Sequence, residues 1–478
     1  MSQFPLTTAS KLRTAGREPA VPFRVALVDG KELTVHRLLR VLPGKRIVGE
    51  GELQGRKVLA KLFVSGGSAR HWAQEKAGID ALHQAGVPTP ELLVATPLAA
   101  GGHALLTAFL SPAETLADAW ARQPENPPGN PAALAVLTPA LVLLGRMHTA
   151  GLVQKDLHLG NFLSHDDSLF VIDGDEVSSI SPGKPLDEQP AIRNLAILLA
   201  QLPASWDSQC FSLLATYRDG GAHLQATALE LQSEILRVRA RRLSDFLAKT
   251  IRDCTLFSVK QSSRRFVAVV REQEPILTPI LTAPDAHIAQ GVLLKDGATC
   301  TVARVDSADR PLVIKRYNLK TLRHALTRLW RPSRAWHSWR EGHRLRFLGI
   351  STPAPLALIE ERFGPLRRRA WLITEFCAGP NLREHLSSDC PPPPEEAKAI
   401  TSLFRTMHEL CISHGDLKAT NLLWHDGRVV VIDLDATVQH RSSSAHARAW
   451  CRDRARLLRN WPAGSVLVRW LEANLPRA

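Results

Sequence analysis

The chain has 478 residues, too many for one ordinary hydrophobic core, so two domains are expected before any motif is considered. Its 45% apolar and 22% charged residues are typical of an ordinary globular protein rather than a disordered one. The net charge is +14, and most of it lies in the C-terminal part. Residues 287–478 contain 30 Lys and Arg against 18 Asp and Glu, whereas residues 1–286 contain 30 against 28.

The cysteines and the apolar runs indicate a cellular compartment. Seven cysteines with no CxxC pair and no metal-ligand spacing fit neither a disulfide framework nor a zinc site. The N-terminus lacks an apolar signal core, and the most apolar run, Pro131 to Leu144, is interrupted by Pro139 and is too short to span a bilayer. We therefore expect a cytoplasmic protein.

The chain repeats itself after 260 residues. Leu143–Val177 aligns without a gap on Leu403–Thr437 with 13 of 35 positions identical, where chance would give roughly two at typical residue frequencies. Because the period is a whole domain, we predict two copies of one globular fold. The segment from Glu274 to Pro284 has three prolines and no helical or strand period, so the boundary is predicted there, between domains 1–274 and 285–478.

In the first copy, the residue types that phosphoryl transfer requires occur in order along the chain. Lys61 on a strand-like run can reach the α- and β-phosphates of ATP, and Glu75 on a helical segment can pair with it. Asp156 in a loop can accept the proton of an attacking hydroxyl. Asn161 and Asp173 offer the oxygen ligands that Mg²⁺ requires.

The second copy contains the same residue types in the same order. Phosphoryl transfer depends on holding the phosphates and the metal and on aligning the acceptor hydroxyl. Two sets of these parts therefore predict an ATP- and Mg²⁺-dependent phosphotransferase, with a second Lys–Glu ion pair. The residues of the second copy are Lys315, Glu341, Asp416, Asn421 and Asp433.

The catalytic-loop sequences resemble those of the protein-kinase superfamily. His414-Gly-Asp-Leu-Lys-Ala-Thr-Asn421 is similar to its HxDLKxxN motif, whereas Gln154-Lys-Asp-Leu-His-Leu-Gly-Asn161 is closer to small-molecule phosphotransferases such as the aminoglycoside kinases. The resemblance implies an α+β fold with two protein-kinase-like domains in tandem, each with a β-rich N-lobe and a helical C-lobe. It also implies that Lys418, or His158 in the first copy, neutralises charge on the moving phosphoryl group. Because Gln154 replaces the usual histidine, a first copy without turnover stays open as an alternative.

The second copy further resembles the lipopolysaccharide kinase (Kdo/WaaP) family over residues 291–461. Members of that family are cytoplasmic and phosphorylate heptose or Kdo, so the resemblance implies a sugar of the lipopolysaccharide inner core as the acceptor. The alternatives are a protein Ser/Thr or Tyr kinase and a catalytically silent nucleotide-binding scaffold in core assembly. The residues that carry the resemblance are Lys315-Arg-Tyr317, Arg331-Pro-Ser-Arg-Ala-Trp336, Trp339-Arg-Glu341, Gly349-Ile-Ser-Thr-Pro-Ala-Pro355, Thr374-Glu375 and Gly379.

A basic stretch from Lys315 to Arg346 contains ten Lys and Arg against one carboxylate, with Trp330, Trp336 and Trp339 among them. Such a surface favours contact with the anionic acceptor and with anionic headgroups, so we expect peripheral contact with the cytoplasmic face of the inner membrane. Nucleic acid is not expected as a partner, because the stretch lies inside the interval between the kinase Lys and Glu.

Overall fold

The computed structural model describes residues 4–122, 127–307, 310–318, 332–363 and 366–477. These residues form two units that divide between Arg241 and Arg242. In each unit an antiparallel sheet precedes a mainly helical part, which confirms the predicted α+β class.

The first unit is built on a sheet of six strands in the order β1-β2-β3-β4-β6-β5. Buried and more exposed side chains alternate along β1 and β3, so the sheet has one face toward a core. That core includes Phe23, Val25, Leu33, Val35 and Leu62. The strands of the sheet are β1 (Phe23–Ala26), β2 (Glu32–Leu42), β3 (Arg46–Leu53), β4 (Arg56–Phe63), β5 (Leu92–Pro97) and β6 (His103–Ala108).

The helical part of the first unit surrounds a second core and contains short strands that shape the catalytic loop. These strands are β7 (Glu114–Thr115), β8 (Leu152–Gln154), β9 (Phe162–His165), β10 (Ser168–Val171) and β11 (Val177–Ser179). The described helices that begin before the division are α1 (Ala9–Thr14), α2 (Ser68–Gln84), α3 (Leu116–Ala121), α4 (Pro131–Thr149), α5 (Glu188–Leu199), α6 (Cys210–Asp219) and α7 (Ala228–Lys249). Of these, α7 continues past the division at Arg241.

Helix α4 is longer than the apolar run in the sequence indicated. It spans 19 residues and continues through Pro139 to Thr149, and within the described ranges it is the one helix long and apolar enough to cross a membrane by length and composition. Its buried residues include Leu137, Leu141 and Leu144, which pack in the core of the first unit. The expected break at Pro139 does not occur, because the buried side chains on both sides of it hold the helix in place.

The second unit is built on a sheet of seven antiparallel strands in the order β12-β13-β17-β18-β16-β15-β14. These strands are β12 (Phe257–Gln261), β13 (Arg265–Val270), β14 (Val292–Gly297), β15 (Cys300–Ser307), β16 (Arg310–Tyr317), β17 (Pro355–Phe363) and β18 (Leu366–Glu375). The short strands that follow are β19 (Ile412–Ser413), β20 (Leu422–His425), β21 (Arg428–Val431) and β22 (Val438–Gln439). Its described helices are α8 (Glu274–Thr282), α9 (Pro284–Gln290), α10 (Arg334–Phe347), α11 (Leu382–His385), α12 (Pro394–Glu409), α13 (Ser443–Leu458) and α14 (Val466–Asn474).

The boundary predicted between residues 274 and 285 lies inside the second unit. The hairpin of β12 and β13 precedes that position, and β13 pairs with β17 of the seven-stranded sheet. The segment predicted as an irregular linker forms α8 and α9. Pro275 lies in the first turn of α8, where a missing N–H disrupts no helical hydrogen bond. Leu277 and Ile280 are buried on the same helix, so apolar burial offsets the cost of its second proline.

Trp339 on α10 supports the sheet of the second unit. Its side chain is fully buried, and its indole N–H donates to the carbonyl oxygen of Thr250 at 3.1 Å. We expect Trp339→Ala to lower the free energy of unfolding by about 3–5 kcal/mol, because a large cavity forms. Phe363→Ala, which removes an exposed aromatic side chain from β17, is the control and should change it by about 0.5 kcal/mol or less. Urea unfolding followed by circular dichroism measures both, and equal midpoints for the two variants would contradict the packing role.

Candidate active site

The catalytic loop of the second unit joins β19 to β20 and contains Asp416. His414 anchors this loop, because its Nε2 donates to the carbonyl oxygen of Ile432 at 2.9 Å. The side-chain amide of Asn421 donates to the carbonyl oxygen of Asp416 at 2.9 Å. The predicted base and the predicted metal-binding amide are therefore held on one rigid loop.

Asp453 on α13 binds the backbone of this loop. This contact was not predicted from the sequence. Its buried carboxylate accepts hydrogen bonds from the N–H groups of His414 at 2.6 Å and of Gly415 at 3.0 Å. In the first unit Asn194 on α5 has the same place and bonds the backbone N–H and C=O of Gln154 at 3.4 and 2.7 Å. The similar spacing in the two copies could have indicated this pair, because Asp453 follows Asp433 by 20 positions and Asn194 follows Asp173 by 21 positions.

Two cations bind the carboxylate of Asp416. Lys418 Nζ lies 3.1 Å from one oxygen, and the guanidinium of Arg456 on α13 donates to the other. Although burial alone would raise the pKa of Asp416, the hydrogen bonds and charges of Lys418 and Arg456 hold it below its usual value. Lys418 was predicted near the base; Arg456 was not, since it lies 40 residues farther along the chain.

The predicted ion pair between Lys315 and Glu341 is not formed. Lys315 Nζ instead lies 2.5 Å from Asp433 and 2.9 Å from Asp435. Burial alone would lower the pKa of Lys315, but the neighbouring carboxylates raise it, so the ammonium form is kept. Glu341 accepts a hydrogen bond from Arg344 on its own helix at 2.9 Å.

The register of the two helices explains this error. Helices α2 and α10 end at Gln84 and Phe347 and are followed by equivalent turns, in which Val87 N–H bonds Leu82 O and Ile350 N–H bonds Leu345 O. The offset is 263 residues (347 − 84), so the position of Glu75 corresponds to Ser338 (75 + 263) and not to Glu341. Glu341 lies almost one turn farther along the helix, which is too far to replace Glu75.

In the first unit the predicted pair is present. Lys61 is hydrogen-bonded to Glu75 and lies 3.0 Å from Asp173. The desolvation of Lys61 would lower its pKa, but these two carboxylates raise it. Arg46, the first residue of β3, lies 2.8 Å from Asp175, so the sheet contributes a second cation to the cluster.

Gln154 makes the hydrogen bond that His414 makes in the second unit. Its Nε2 donates to the carbonyl oxygen of Ile172 at 3.0 Å, the counterpart of Ile432. Asn161 likewise donates to the carbonyl oxygen of Asp156 at 3.0 Å. The first catalytic loop therefore keeps these two hydrogen bonds of the second despite the change of residue. The bond that His414 Nδ1 accepts from the Asp416 N–H is lost, because Gln154 Oε1 has no partner within the described residues.

The residues present fit a divalent metal ion. In the first unit Glu75, Asp173 and Asp175 each offer an oxygen, and these atoms lie within 4.8 Å of one another. An all-oxygen donor set suits Mg²⁺ rather than a transition metal. In the second unit Asn421 and Asp433 are the predicted ligands, and the Asp433 carboxylate is one-third exposed and accessible from solvent.

The basic stretch is partly internal. Residues 319–331, which include Trp330, lie outside the described residues. Within the described part, Trp336 and Trp339 pack in the apolar cluster beside the sheet. Arg334 lies 3.6 Å from Asp435, so its charge faces the site rather than solvent alone.

Together these features define the class of the protein. A largely buried strand lysine between carboxylates, a loop with an aspartate and an asparagine, and a second aspartate after a hairpin are the parts of a kinase-like phosphotransferase.

Comparison with known proteins agrees with this class. Residues 294–475 match the model of the lipopolysaccharide kinase (Kdo/WaaP) family, which confirms the family resemblance predicted for the C-terminal region. The RIO-type serine/threonine-protein kinase Rio1 of Haloferax volcanii is 26% identical over 254 residues, 47% of this chain and 80% of that protein. Among solved structures, WaaP in complex with acyl carrier protein is 22% identical, with a TM-score of 0.33 over 44% of this chain and 88% of that one. Vaccinia related kinase 3 is 12% identical, with a TM-score of 0.30 over 48% and 89%.

Asp453 provides a test of the loop anchor. Asp453→Ala leaves two buried N–H groups without a partner, so we expect a loss of about 2–4 kcal/mol in the free energy of unfolding. Asp453→Asn keeps an oxygen acceptor, as Asn194 does in the first unit, and should cost less than half of that. Urea unfolding of both variants measures the difference. Equal losses would mean that the charge of Asp453, and not its hydrogen bonds, stabilises the loop.

Proposed function

We propose that this protein transfers the γ-phosphate of ATP to a hydroxyl of a sugar, heptose or Kdo, in the lipopolysaccharide inner core. The observation that carries the proposal is the set of Lys315, Asp416, Asn421 and Asp433 in the second unit, which lies inside the region that matches the Kdo/WaaP family model. The proposal for the acceptor derives from that family, and the proposal for the reaction derives from the site.

Each residue of the second unit has a role in the proposed reaction. Asp416 accepts the proton of the attacking hydroxyl, and Lys418 beside it offsets charge on the transferred group. Lys315 holds the phosphates. Asn421 and Asp433 would hold Mg²⁺, which would neutralise negative charge on the phosphate oxygens. We propose the same roles for Lys61, Glu75, Asp156, Asn161 and Asp173 in the first unit.

The short segment after the metal aspartate supports a small acceptor. Only ten positions separate Asp433 from the start of α13 at Ser443, and part of that interval is β22, which pairs with β19. In the first unit, fifteen positions separate Asp173 from the start of α5 at Glu188. Neither interval has room for a long segment on which a peptide substrate would dock.

A protein serine/threonine kinase is the second candidate. It is favoured by the similarity to the archaeal Rio1 kinase, which covers 80% of that protein. The short segments after the metal aspartates oppose it.

For localisation, we propose a cytoplasmic protein whose basic stretch contacts the inner membrane at its cytoplasmic face.

Phosphate transfer from labelled ATP to purified, dephosphorylated lipopolysaccharide core tests the proposed function. Asp416→Ala removes the base and should lower the rate by about 10²–10⁴-fold. Asp156→Ala and the double variant show whether the first unit contributes. Asp389→Ala, which changes an exposed aspartate in a loop, is the control. Full transfer by Asp416→Ala would refute the assigned site, whereas label on polypeptide instead of core would favour the protein kinase.

The pH dependence of the same reaction tests the role of Arg456. Since this guanidinium helps to lower the pKa of Asp416, Arg456→Gln should raise that pKa. Asp416 must be ionised to accept a proton, so the acid limb of the kcat/KM profile should move to higher pH. Arg459→Gln is the matched control, because Arg459 directly follows the same helix and, within the described part of the chain, its side chain bonds a backbone carbonyl and no carboxylate. An unmoved acid limb in Arg456→Gln would contradict the assignment of Asp416 as the base.

A further inference from the structure

We propose that Asp435 positions Lys315 in the second unit, in the role that Glu75 has toward Lys61 in the first. The inference concerns the lysine that holds the phosphates and does not depend on the acceptor. It starts from the unexpected partner of Lys315, because the lysine of a kinase-like site needs a fixed carboxylate.

The helix of the second unit does not supply this carboxylate. Ser338 occupies the position of Glu75, and its side chain is too short and has no charge. The glutamate of this helix, Glu341, is buried and accepts a hydrogen bond from Arg344. Arg344 also donates to Gln439 at 2.8 Å. Glu341 is therefore already paired, and its partner is fixed by a further contact.

Asp435 has the contacts of a built positioning group. Oδ1 accepts hydrogen bonds from Lys315 Nζ at 2.9 Å, from the Tyr317 hydroxyl at 2.7 Å and from the Ser338 hydroxyl at 2.8 Å. Arg334 Nη1 lies 3.6 Å from Oδ2. Donors on β16 and on both of the first two turns of α10 thus hold one carboxylate, so its orientation does not depend on Lys315 alone.

The corresponding residue of the first unit has a different partner. Asp175 is bound by Arg46, and Lys61 is bound by Glu75 and Asp173. Where a helix glutamate is present, the second aspartate is therefore free to bind another cation. Where Ser338 replaces that glutamate, its hydroxyl instead donates to the aspartate that reaches the lysine.

A separate carboxylate for Lys315 also fits the predicted role of Asp433. Asp433 contacts Lys315 but is also the predicted metal ligand of this unit, so its charge is shared. Asp435 lies beside it and is more buried, at 18% side-chain exposure against 33%. We assign Asp435 as a positioning residue that keeps Lys315 in place whether or not Asp433 binds metal.

A double-mutant cycle tests this assignment in the full-length chain. The readout is kcat/KM for ATP in the release of ADP, with water as the acceptor, and the Asp416→Asn chain gives the baseline of the first unit. Asp435→Asn should lower kcat/KM by about 100-fold through a misplaced lysine. Combined with Lys315→Met it should cost nothing beyond Lys315→Met alone, because residues that act through one another are not additive.

Two further variants separate positioning from a structural effect. Glu341→Gln should change kcat/KM by less than about threefold, as expected for a residue outside the transition-state contacts. Ser338→Glu in the Asp435→Asn chain restores the arrangement of the first unit and should recover at least about tenfold of the lost activity. The proposal would be overturned if the losses of kcat/KM in Asp435→Asn and Lys315→Met multiply in the double variant. It would also be overturned if Glu341→Gln lowers kcat/KM as much as Asp435→Asn does. ADP release without any transfer to core sugar would overturn the proposed function alone.

Discussion

The structure of each unit depends on one largely buried lysine ammonium. Lys61 and Lys315 lie on a central strand with about one-eighth of the side chain exposed, where an unpaired charge would cost several kcal/mol. The compensating carboxylates come from the turn after a hairpin in the helical part, at Asp173 and Asp433. The lysine therefore ties the sheet to the helical part within each unit, and the requirement for its charge fixes the distance between strand and turn.

The sequence predicted the parts of the site that belong to short, gapless segments. The loop and hairpin from Asp416 to Asp433 have a fixed spacing, so identity in the repeat was enough to assign them. The helix partner of Lys315 was predicted wrongly, because the glutamate of this helix, Glu341, does not face the lysine. Only the register counted back from the turn at Gly349 places Ser338 there. To identify the residue that faces Lys315, one must know where the helix ends, and residue types alone do not define that position.

The predicted domain boundary differs from the observed division for a similar reason. Prolines were interpreted as marks of a linker, yet Pro275 lies in the first turn of a helix, where proline is tolerated. The hairpin before it joins the second sheet through contacts with β17, a strand almost ninety residues away. Such pairing depends on distant sequence and leaves no local signal, so composition could locate two domains but not the residue at which they divide.

The two catalytic loops preserve hydrogen bonds rather than residues. Gln154 makes the bond of His414 to the carbonyl oxygen before the predicted metal aspartate, and Asn194 replaces Asp453, so both anchors of the loop persist without the usual histidine. What differs is the charge around the aspartate that is proposed as the base. Asp416 is bound by Arg456, whereas the position three residues after Asn194 is an isoleucine. The first unit therefore keeps the loop anchors but lacks the counterpart of Arg456. This changes the electrostatics around the aspartate that would face the acceptor, and a difference between the units in acceptor or in pH dependence would arise there.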